Sequence, residues 1–369
     1  MAQELDLARY RGHLALPGVG VEGQRKLAQS SVLCVGTGGL GSPAALYLAA
    51  AGIGRIGLLD ADEVDHSNLH RQILFRTADV GAPKAETARK VLAALNPEIE
   101  LVVHDQRLEA HNATDLLSGY DVVLDGTDNF PTRYLINEAC VRLGKPDVWA
   151  SIFRFEGQLA VFDAKHGPCY RCLFPEVPPD EEIPACAEAG VLGVLPGILG
   201  ASQALEAMKL LLGLGKPAIG RLLVFDALAF AWTELAVERD PACRTCGSGA
   251  RIEAPRAVMS DAPDHPPAIA PEDLQHLRAD NAVHVLDCRE PFEWDIAHLE
   301  GSQLIPLGEL RDRLDEVSRD RPVVVVCHHG PRSMRAAWQL QKAGFPNVRY
   351  LKGGLNLWAL RVDSEMPRY

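Results

Sequence analysis

Short apolar runs alternate with amphipathic stretches through the first part of the chain. The apolar runs lie near residues 31–35, 55–59, 99–104, 121–125 and 146–151, and they predict strands with helices between them. Residues 155–162 predict a further strand, and residues 196–212 predict a buried helix. This alternation is typical of an α/β fold built on a parallel, doubly wound sheet.

The pattern changes after Cys246. Residues 249–267 are rich in Pro, Ala and Asp and have no apolar periodicity, so they predict a linker. Apolar strands return at residues 283–286 and 323–326. The sequence therefore predicts a first domain over residues 1–248, a linker, and a smaller α/β domain over residues 268–369.

Length and charge narrow the functional classes. At 369 residues and 47% hydrophobic, the chain can bury two cores, and its length fits two or three domains. A net charge of −12 without a basic stripe argues against a nucleic-acid surface. The N-terminus lacks the basic and apolar segments of a secretory signal, and the apolar stretch near residues 191–214 carries Glu206 and Lys209. We expect a cytoplasmic protein that binds neither nucleic acid nor membrane.

A glycine-rich turn follows the first predicted strand. Its glycines are Gly36, Gly38, Gly39 and Gly41, and Ser42 is the expected N-cap of the next helix. A helix start of this kind points backbone N–H groups at a phosphate. No Lys-Ser/Thr pair follows, so the turn is not a P-loop. Asp60 ends the next strand about 20 residues later, where a carboxylate usually meets a ribose hydroxyl.

A polar cluster after Asp60 changes this interpretation. The turn and Asp60 alone favour a nicotinamide-dependent dehydrogenase. However, the run Ser67-Asn68-Leu69-His70-Arg71 and the later Lys84 place two cations downstream of the predicted ribose carboxylate. Two cations suit a triphosphate and its leaving pyrophosphate, for which a dinucleotide site has less need. The cluster therefore predicts a mononucleotide that reacts.

The order of these motifs resembles the MoeB and ThiF family of adenylyltransferases, relatives of the ubiquitin-activating enzymes, over roughly residues 5–248. The resemblance implies a Rossmann-like fold, a homodimer, and ATP with Mg²⁺. It also implies ATP contacts from Gly39, Asp60, the run Ser67 to Arg71, Lys84, and the pair Asp128 and Asn129.

Two positions in this resemblance leave alternatives. It implies that Asp128 serves the magnesium and the reacting carboxylate, whereas the alternative role of Asp128 is a helix cap before Pro131. The family's N-terminal arginine, which reaches into the partner subunit's site, would fall at Gly12. Either Arg11 replaces it with a shifted backbone, or that contact is absent.

Four cysteines have the spacing of a zinc site. Cys169 and Cys172 form one CxxC pair, and Cys243 and Cys246 form a second pair about 70 residues later. Redox disulfides are the alternative, but two matched pairs in a reducing compartment favour zinc. Four thiolate ligands leave no open position, so the predicted zinc is structural.

A further cysteine follows an acidic, proline-rich segment at residues 174–184 that predicts a mobile crossover loop. The family resemblance implies that Cys186 can form a covalent link with the activated partner. The alternative is a loop cysteine without a chemical role.

The second domain carries its own candidate site. Cys327 lies between the strand at residues 323–326 and a helix predicted from Met334 to about Ala343, with Arg332 five positions after it. Inward-facing N–H groups of such a loop stabilise a thiolate or persulfide. Tyrosine phosphatases have five residues between cysteine and arginine, whereas this loop has four, which makes a tighter cradle.

This loop resembles that of the single-domain rhodaneses, whose cysteine carries a sulfane sulfur. Three further segments match motifs of that family, and Cys288 within the first of them is expected to be structural; the segments are residues 287–290, 297–301 and 351–355.

Together the two resemblances imply consecutive reactions. ATP would adenylate the C-terminal glycine of a small sulfur-carrier protein ending in Gly-Gly (MoaD- or ThiS-like), with Arg71, Lys84 and Mg²⁺ offsetting the charge. A persulfide on Cys327, filled by a cysteine desulfurase or thiosulfate, would then form a thiocarboxylate. Cys186 would either capture the adenylate or resolve an acyl-persulfide.

The sequence leaves alternatives open for the pathway and for the functional class. Molybdenum cofactor synthesis is the favoured pathway, and thiamine synthesis and tRNA thiolation are alternatives. Two hypotheses belong to other functional classes. In one the chain is an NAD-linked oxidoreductase with an accessory rhodanese module, and in the other it is a non-catalytic scaffold.

Overall fold

A computed structural model describes residues 6–177, 190–250 and 266–368. The chain divides into two compact units, Met1–Met259 and Ser260–Tyr369. Cys186, most of the predicted crossover loop and most of the predicted linker lie outside the described residues.

The first unit is built on an eight-stranded mixed sheet with the order β3-β2-β1-β4-β5-β6-β7-β8. Strands β1 to β5 are parallel, as predicted, and β6 to β8 extend the sheet in antiparallel fashion. The strands are β1 Ser31–Val35, β2 Arg55–Leu59, β3 Glu100–His104, β4 Val122–Asp125, β5 Asp147–Phe153, β6 Glu156–Phe162, β7 Arg221–Asp226 and β8 Ala231–Ala236.

Helices cover this sheet and bury one apolar cluster around Leu48 and Leu199 and another around Leu117 and Ile136. The predicted buried helix is confirmed as Val194–Leu212, and it packs against β5 and β6. The other α-helices are Arg11–Leu14, Gly20–Gln29, Gly41–Ala50, Lys84–Leu95, Ala113–Ser118, Phe130–Leu143 and Tyr170–Leu173, and short 3-10 helices span His66–Asn68 and Thr77–Asp79.

The second unit has a five-stranded parallel sheet with the order β11-β10-β12-β13-β9. Its strands are β9 Ala268–Ile269, β10 His284–Asp287, β11 Gln303–Leu304, β12 Val323–Val326 and β13 Val348–Leu351. Its helices are Pro271–Ala279, Pro291–Ile296, Pro331–Lys342 and Gly354–Arg361, with a 3-10 turn at Leu314–Glu316. Apolar clusters lie on both faces of the sheet, around Leu340 and around Trp358.

None of the helices in the described ranges has the length and apolar character needed to cross a membrane.

Candidate functional site

The glycine turn is held together by a close approach of its own backbone. Gly36 has a φ of +87°, and a Cβ on Gly41 would lie 1.9 Å from the Gly36 carbonyl oxygen. Gly41 is therefore needed for packing of the turn rather than for contact with a ligand. The expected N-cap Ser42 lies inside the helix, which begins at Gly41 after the N-cap residue Leu40. The Ser42 hydroxyl instead donates to the Thr37 carbonyl oxygen at 2.8 Å.

A cavity of about 610 Å³ opens at the carboxyl ends of β1, β2 and β4. This is the edge where parallel sheets bind their ligands, and the volume lies in the usual range for small-molecule sites. The predicted residues that line it are Gly36, Gly38, Gly39, Asp60, Asn68, Arg71, Lys84, Asp128 and Asn129. The lining does not include the predicted residues Gly41, Ser67, Leu69 and His70.

The Asp60 carboxylate is oriented by the turn beside it. Its Oδ2 accepts hydrogen bonds from the Thr37 backbone N–H and hydroxyl, both at 2.8 Å. Its Oδ1 accepts from the Asp62 backbone N–H at 3.0 Å. These hydrogen bonds fix the carboxylate at the cavity wall, next to the glycine turn, which is of the kind that binds phosphate.

Arg71 is supported by the residues that precede it. Its guanidinium donates to the Asn68 side-chain oxygen at 2.5 Å and to the Ser67 carbonyl oxygen at 3.3 Å, and Nη1 lies 2.7 Å from His70 Nε2. Burial and the Arg71 charge lower the pKa of His70, so a neutral ring accepts this contact. Ser67 and His70 therefore position Arg71 in the cavity, although neither lines it.

Lys84 supplies the second cation. Its side chain is only 8% exposed, and Nζ lies 3.0 Å from Oδ2 of the exposed Asp62. The Asp62 carboxylate thus holds the Lys84 side chain in place beside the cavity. The two predicted cations, Arg71 and Lys84, thus line the same cavity as Asp60.

The structure separates Asp128 from the helix-cap role. Asn129 is the N-cap of helix Phe130–Leu143, and its side-chain oxygen accepts from the Thr132 N–H at 3.0 Å. The exposed Asp128 side chain therefore remains available at the cavity. Behind it, buried Asp125 accepts from the Thr127 N–H and hydroxyl at 2.8 and 2.6 Å.

Arg133 is a buried residue that the sequence analysis missed. Its Nη2 donates to the Thr127 carbonyl oxygen at 3.0 Å, which ties the helix to the loop that carries Asp128. Burial raises the pKa of Asp125, and the Arg133 charge opposes that rise. The signal that could have found it is an arginine one helical turn after the helix start.

The four predicted zinc ligands come together. The Sγ–Sγ distances are 3.9 Å for Cys169 to Cys172, 3.7 Å for Cys169 to Cys243 and 3.4 Å for Cys172 to Cys246. All four sulfurs lie within 4.8 Å of one another, and all four cysteines are free thiols. A tetrahedral zinc with bonds of about 2.3 Å places its sulfurs about 3.8 Å apart, so the donor set fits structural zinc.

In the second unit, the loop after β12 surrounds Cys327. This residue is 1% exposed, the Gly330 backbone N–H donates to its sulfur at 3.0 Å, and the Ser333 hydroxyl lies 3.4 Å from it. Burial raises the pKa of Cys327, but the neighbouring Cys288 thiol and hydrogen bonds from Ser333 and Gly330 outweigh it and bring the pKa to about 6. A thiol of this kind is mostly anionic at neutral pH and therefore nucleophilic.

Arg332 is bound to a carboxylate that the sequence analysis did not identify. Its Nη1 lies 2.5 Å from Glu293 Oε2, and its Nη2 lies 2.7 Å from Glu293 Oε1. The pair joins the helix Pro331–Lys342 to the helix Pro291–Ile296 and fixes the end of the cysteine loop. The helix Pro331–Lys342 begins three residues before the predicted start at Met334, because Gly330 ends the loop.

The other rhodanese-type segments support the loop from behind. The Leu355 N–H donates to the Cys327 carbonyl oxygen at 2.8 Å, and the Asn356 N–H donates to the His328 carbonyl oxygen at 3.0 Å. A Cβ on Gly354, whose φ is +60°, would lie 2.3 Å from that His328 oxygen. Asp287 and Arg289 form a fully buried ion pair at 2.6 Å that shapes the turn after β10.

The fold and sites define a class: an α/β nucleotide-binding unit with a four-thiolate cluster, followed by a unit that holds an anionic cysteine. The ThiF family model matches residues 10–245, and the rhodanese-like domain model matches residues 270–361. The chain belongs to the ThiF family and carries a rhodanese-like domain after it.

Relatives share this arrangement. The chain is 43% identical over 381 residues to the probable adenylyltransferase/sulfurtransferase MoeZ of Mycobacterium tuberculosis, covering 99% of this chain and 95% of that protein. It is 42% identical over 387 residues to the adenylyltransferase and sulfurtransferase MOCS3 of Drosophila sechellia, covering 99% and 85%. The sulfur carrier protein adenylyltransferase of Thermus thermophilus is 52% identical over 250 residues, covering 66% and 92%.

Among solved structures, E. coli MccB with AMPCPP and MccA matches with a TM-score of 0.59 at 21% identity, covering 67% of this chain and 76% of that one. At this identity the match shows the fold alone. The relatives confirm the predicted combination of an adenylyltransferase with a sulfurtransferase in one enzyme.

Proposed function

We propose that this protein uses ATP to adenylate the C-terminal carboxylate of a small sulfur-carrier protein and then converts that carboxylate to a thiocarboxylate. The observation that carries the proposal is the presence of both a two-cation cavity and an anionic cysteine loop in one chain. The Thermus relative named as a sulfur carrier protein adenylyltransferase supports the choice of substrate. We assign residues 1–248 to adenylation, 249–267 to a linker and 268–369 to sulfur transfer.

In the first step the carrier carboxylate attacks the α-phosphorus of ATP, and pyrophosphate leaves. The glycine turn faces the phosphates, Asp60 accepts from the ribose hydroxyls, and Arg71 and Lys84 offset the negative charge that develops on the leaving group. Low exposure of Lys84 strengthens this effect, because water screens a buried charge less.

Magnesium fits this site through one carboxylate. Mg²⁺ prefers carboxylate and phosphate oxygens and keeps several waters, and the Asp128 side chain reaches the cavity without serving as the helix cap. When bound, the ion neutralises charge on the phosphate oxygens. Asp128 would hold it while Arg133, through Thr127, keeps the Asp128 loop in place.

In the second step a persulfide on Cys327 attacks the acyl-adenylate carbon, and AMP leaves as an acyl-persulfide forms. A second thiol then attacks the Cys327 sulfur and releases the thiocarboxylate, leaving a disulfide at Cys327. Cys186, which lies outside the described residues, is the proposed thiol for this step or for earlier capture of the adenylate. Replacing Cys186 with Ala leaves pyrophosphate release intact on either scheme.

The surroundings of the reaction are proposed with it. We infer a cytoplasmic homodimer, an upstream cysteine desulfurase or thiosulfate as sulfur donor, and molybdenum cofactor synthesis as the pathway, with thiamine synthesis and tRNA thiolation as alternatives. For the trans contact both alternatives stay: either Arg11, which begins a short exposed helix, supplies it, or the contact is absent.

The test of adenylation is ATP–pyrophosphate exchange by the full chain with each candidate carrier. We expect exchange that depends on a carrier with a C-terminal Gly-Gly, that disappears when the last glycine is removed, and that persists in Cys327→Ala. Nicotinamide binding without exchange would instead indicate the NAD-linked oxidoreductase class. The proposal would be refuted if no protein with a C-terminal Gly-Gly supported ATP–pyrophosphate exchange.

A further inference from the structure

Two cysteines lie side by side beneath the sulfur-transfer loop. Strands β10 and β12 are neighbours with Asp287 paired to Val326, so Cys288 and Cys327 occupy the next positions along the two chains. The Cys288 backbone N–H donates to the Val326 carbonyl oxygen at 3.0 Å, which continues the ladder for one more residue. Both side chains are buried in the same apolar cluster. Adjacent strands are about 4.8 Å apart, so the two thiols meet on one face of the sheet.

The single proton of the Cys288 thiol has two acceptors within reach. One is the Val326 carbonyl oxygen, 3.3 Å from Cys288 Sγ. The other is the Cys327 sulfur, which occupies the adjacent position after β12 and lies in the same apolar cluster. A hydrogen bond to an ionised acceptor is roughly twice as strong as one to a neutral acceptor. The Cys288 thiol therefore donates to the Cys327 sulfur while that sulfur is an anion. It donates to the Val326 carbonyl oxygen when the Cys327 sulfur is not an anion.

Cys288 itself stays a neutral donor. Burial, followed by the neighbouring Cys327 sulfur, raises the pKa of Cys288 well above its ordinary value. A thiol in such a site keeps its proton at every pH where Cys327 reacts, so Cys288 acts on Cys327 as a donor and not as a competing nucleophile.

The charged groups around the two thiols are largely paired with one another. The charged groups are Asp287, Arg289, Glu293 and Arg332, and the titratable rings of His328 and His329 lie beside them. Asp287 binds Arg289, and Glu293 binds Arg332, so the fields of both ion pairs partly cancel at Cys327. Burial lowers the pKa of His328 to about 4, so its ring is neutral under assay conditions. Short-range donors to the sulfur consequently decide the state of Cys327.

We propose that Cys288 is a positioning residue for sulfur transfer, whose thiol donates a hydrogen bond to the Cys327 anion from the core side of the sheet. Gly330 and Ser333 hold the same sulfur from the loop side. The inference rests on the proposed role of Cys327 as the sulfur-bearing nucleophile, and it gives Cys288 a task beyond packing.

The test compares Cys288→Val, which removes the donor, with Cys288→Ser, which retains one. In the full chain, the pH dependence of Cys327 alkylation by iodoacetamide is followed by mass spectrometry of the Cys327 peptide. We expect the alkylation midpoint in Cys288→Val to rise by about one pH unit, which makes alkylation about tenfold slower below both midpoints. Cys288→Ser should keep a midpoint close to that of wild type.

At acidic pH, sulfur transfer from thiosulfate to cyanide should be slower in Cys288→Val than in Cys288→Ser and the wild type. ATP–pyrophosphate exchange should stay unchanged in both variants. If Cys288→Val does not fold, as judged by thermal unfolding, Cys288→Ala replaces it. An unchanged midpoint in the donor-free variant, or an equal rise in Cys288→Ser, overturns the inference. Because alkylation needs no carrier, a shifted midpoint without carrier thiocarboxylation would instead count against the proposed function alone.

Discussion

The ion pair between Glu293 and Arg332 makes a prediction about stability. Both side chains are mostly buried, with 6% and 13% exposure, and two hydrogen bonds of 2.5 and 2.7 Å join them. Glu293→Gln keeps the shape of the side chain and removes its charge, which leaves Arg332 without a charged partner. Removing one member of a buried pair costs about 3–5 kcal/mol, and the retained amide oxygen reduces that to about 2–3 kcal/mol. For a unit of this size we expect the unfolding temperature to fall by about 10 °C or more.

The assay is the residual thiosulfate–cyanide sulfur transfer of the full chain after heating to a series of temperatures. Glu309→Gln is the matched control, because Glu309 contacts Arg313 in an exposed pair, and the loss of an exposed pair changes stability little. The apolar double variant Glu293→Leu with Arg332→Met should recover most of the lost stability, since no unpaired charge is then buried. Its stability is measured by thermal unfolding rather than by activity, because Arg332 belongs to the cysteine loop.

If Glu293→Gln loses activity at the same temperature as Glu309→Gln, the ion pair does not hold the loop and the reasoning is wrong. The pair also gives a pH dependence. Burial raises the pKa of Glu293, but its hydrogen bonds and the Arg332 charge outweigh burial and lower it overall. The stabilisation is therefore present above the pKa of a free glutamate, about 4.3, and is lost as the pH falls through the lower folded pKa.

Three further outcomes follow from the two sites. Arg71→Met should reduce ATP–pyrophosphate exchange by about 100-fold or more and leave thiosulfate–cyanide transfer unchanged, so an equal loss of both activities would contradict the assignment. Cys246→Ser should lower bound zinc, measured by elemental analysis, and the thermal stability of the first unit, and full zinc retention would refute the four-thiolate site. The rate of sulfur transfer should rise as the pH increases through about 6, because the Cys327 anion reacts; a midpoint near that of a free thiol would contradict the geometry of the loop.

Much of the fold could be predicted because its strands are buried on both faces. Strands such as β1 and β4 are continuous apolar runs, and the structure confirms them. Strand β8 was missed because its residues are exposed along its whole length, which leaves neither an apolar run nor a buried alternating face. The four-cysteine cluster was predictable because the CxxC spacing itself carries the geometry.

The sites were predicted less completely, for reasons that lie in three dimensions. The run from Ser67 to Arg71 forms a tight turn, so only Asn68 and Arg71 of that run reach the cavity wall, and Ser67 and His70 contact Arg71 instead. A contiguous motif does not say which of its side chains face a ligand. Glu293 was missed because it lies 39 residues before Arg332 in the chain and no local pattern joins them.

The central claim is that one chain activates a carboxylate with ATP and then replaces its oxygen with sulfur. The most direct measurement is the intact mass of a diglycine-tailed carrier protein after incubation with the full chain, ATP and thiosulfate. The account predicts a gain equal to the mass difference between sulfur and oxygen, with no gain when ATP is left out or when Cys327 is replaced by Ala. An unchanged carrier mass with every candidate carrier, or a gain that persists without ATP, would contradict it.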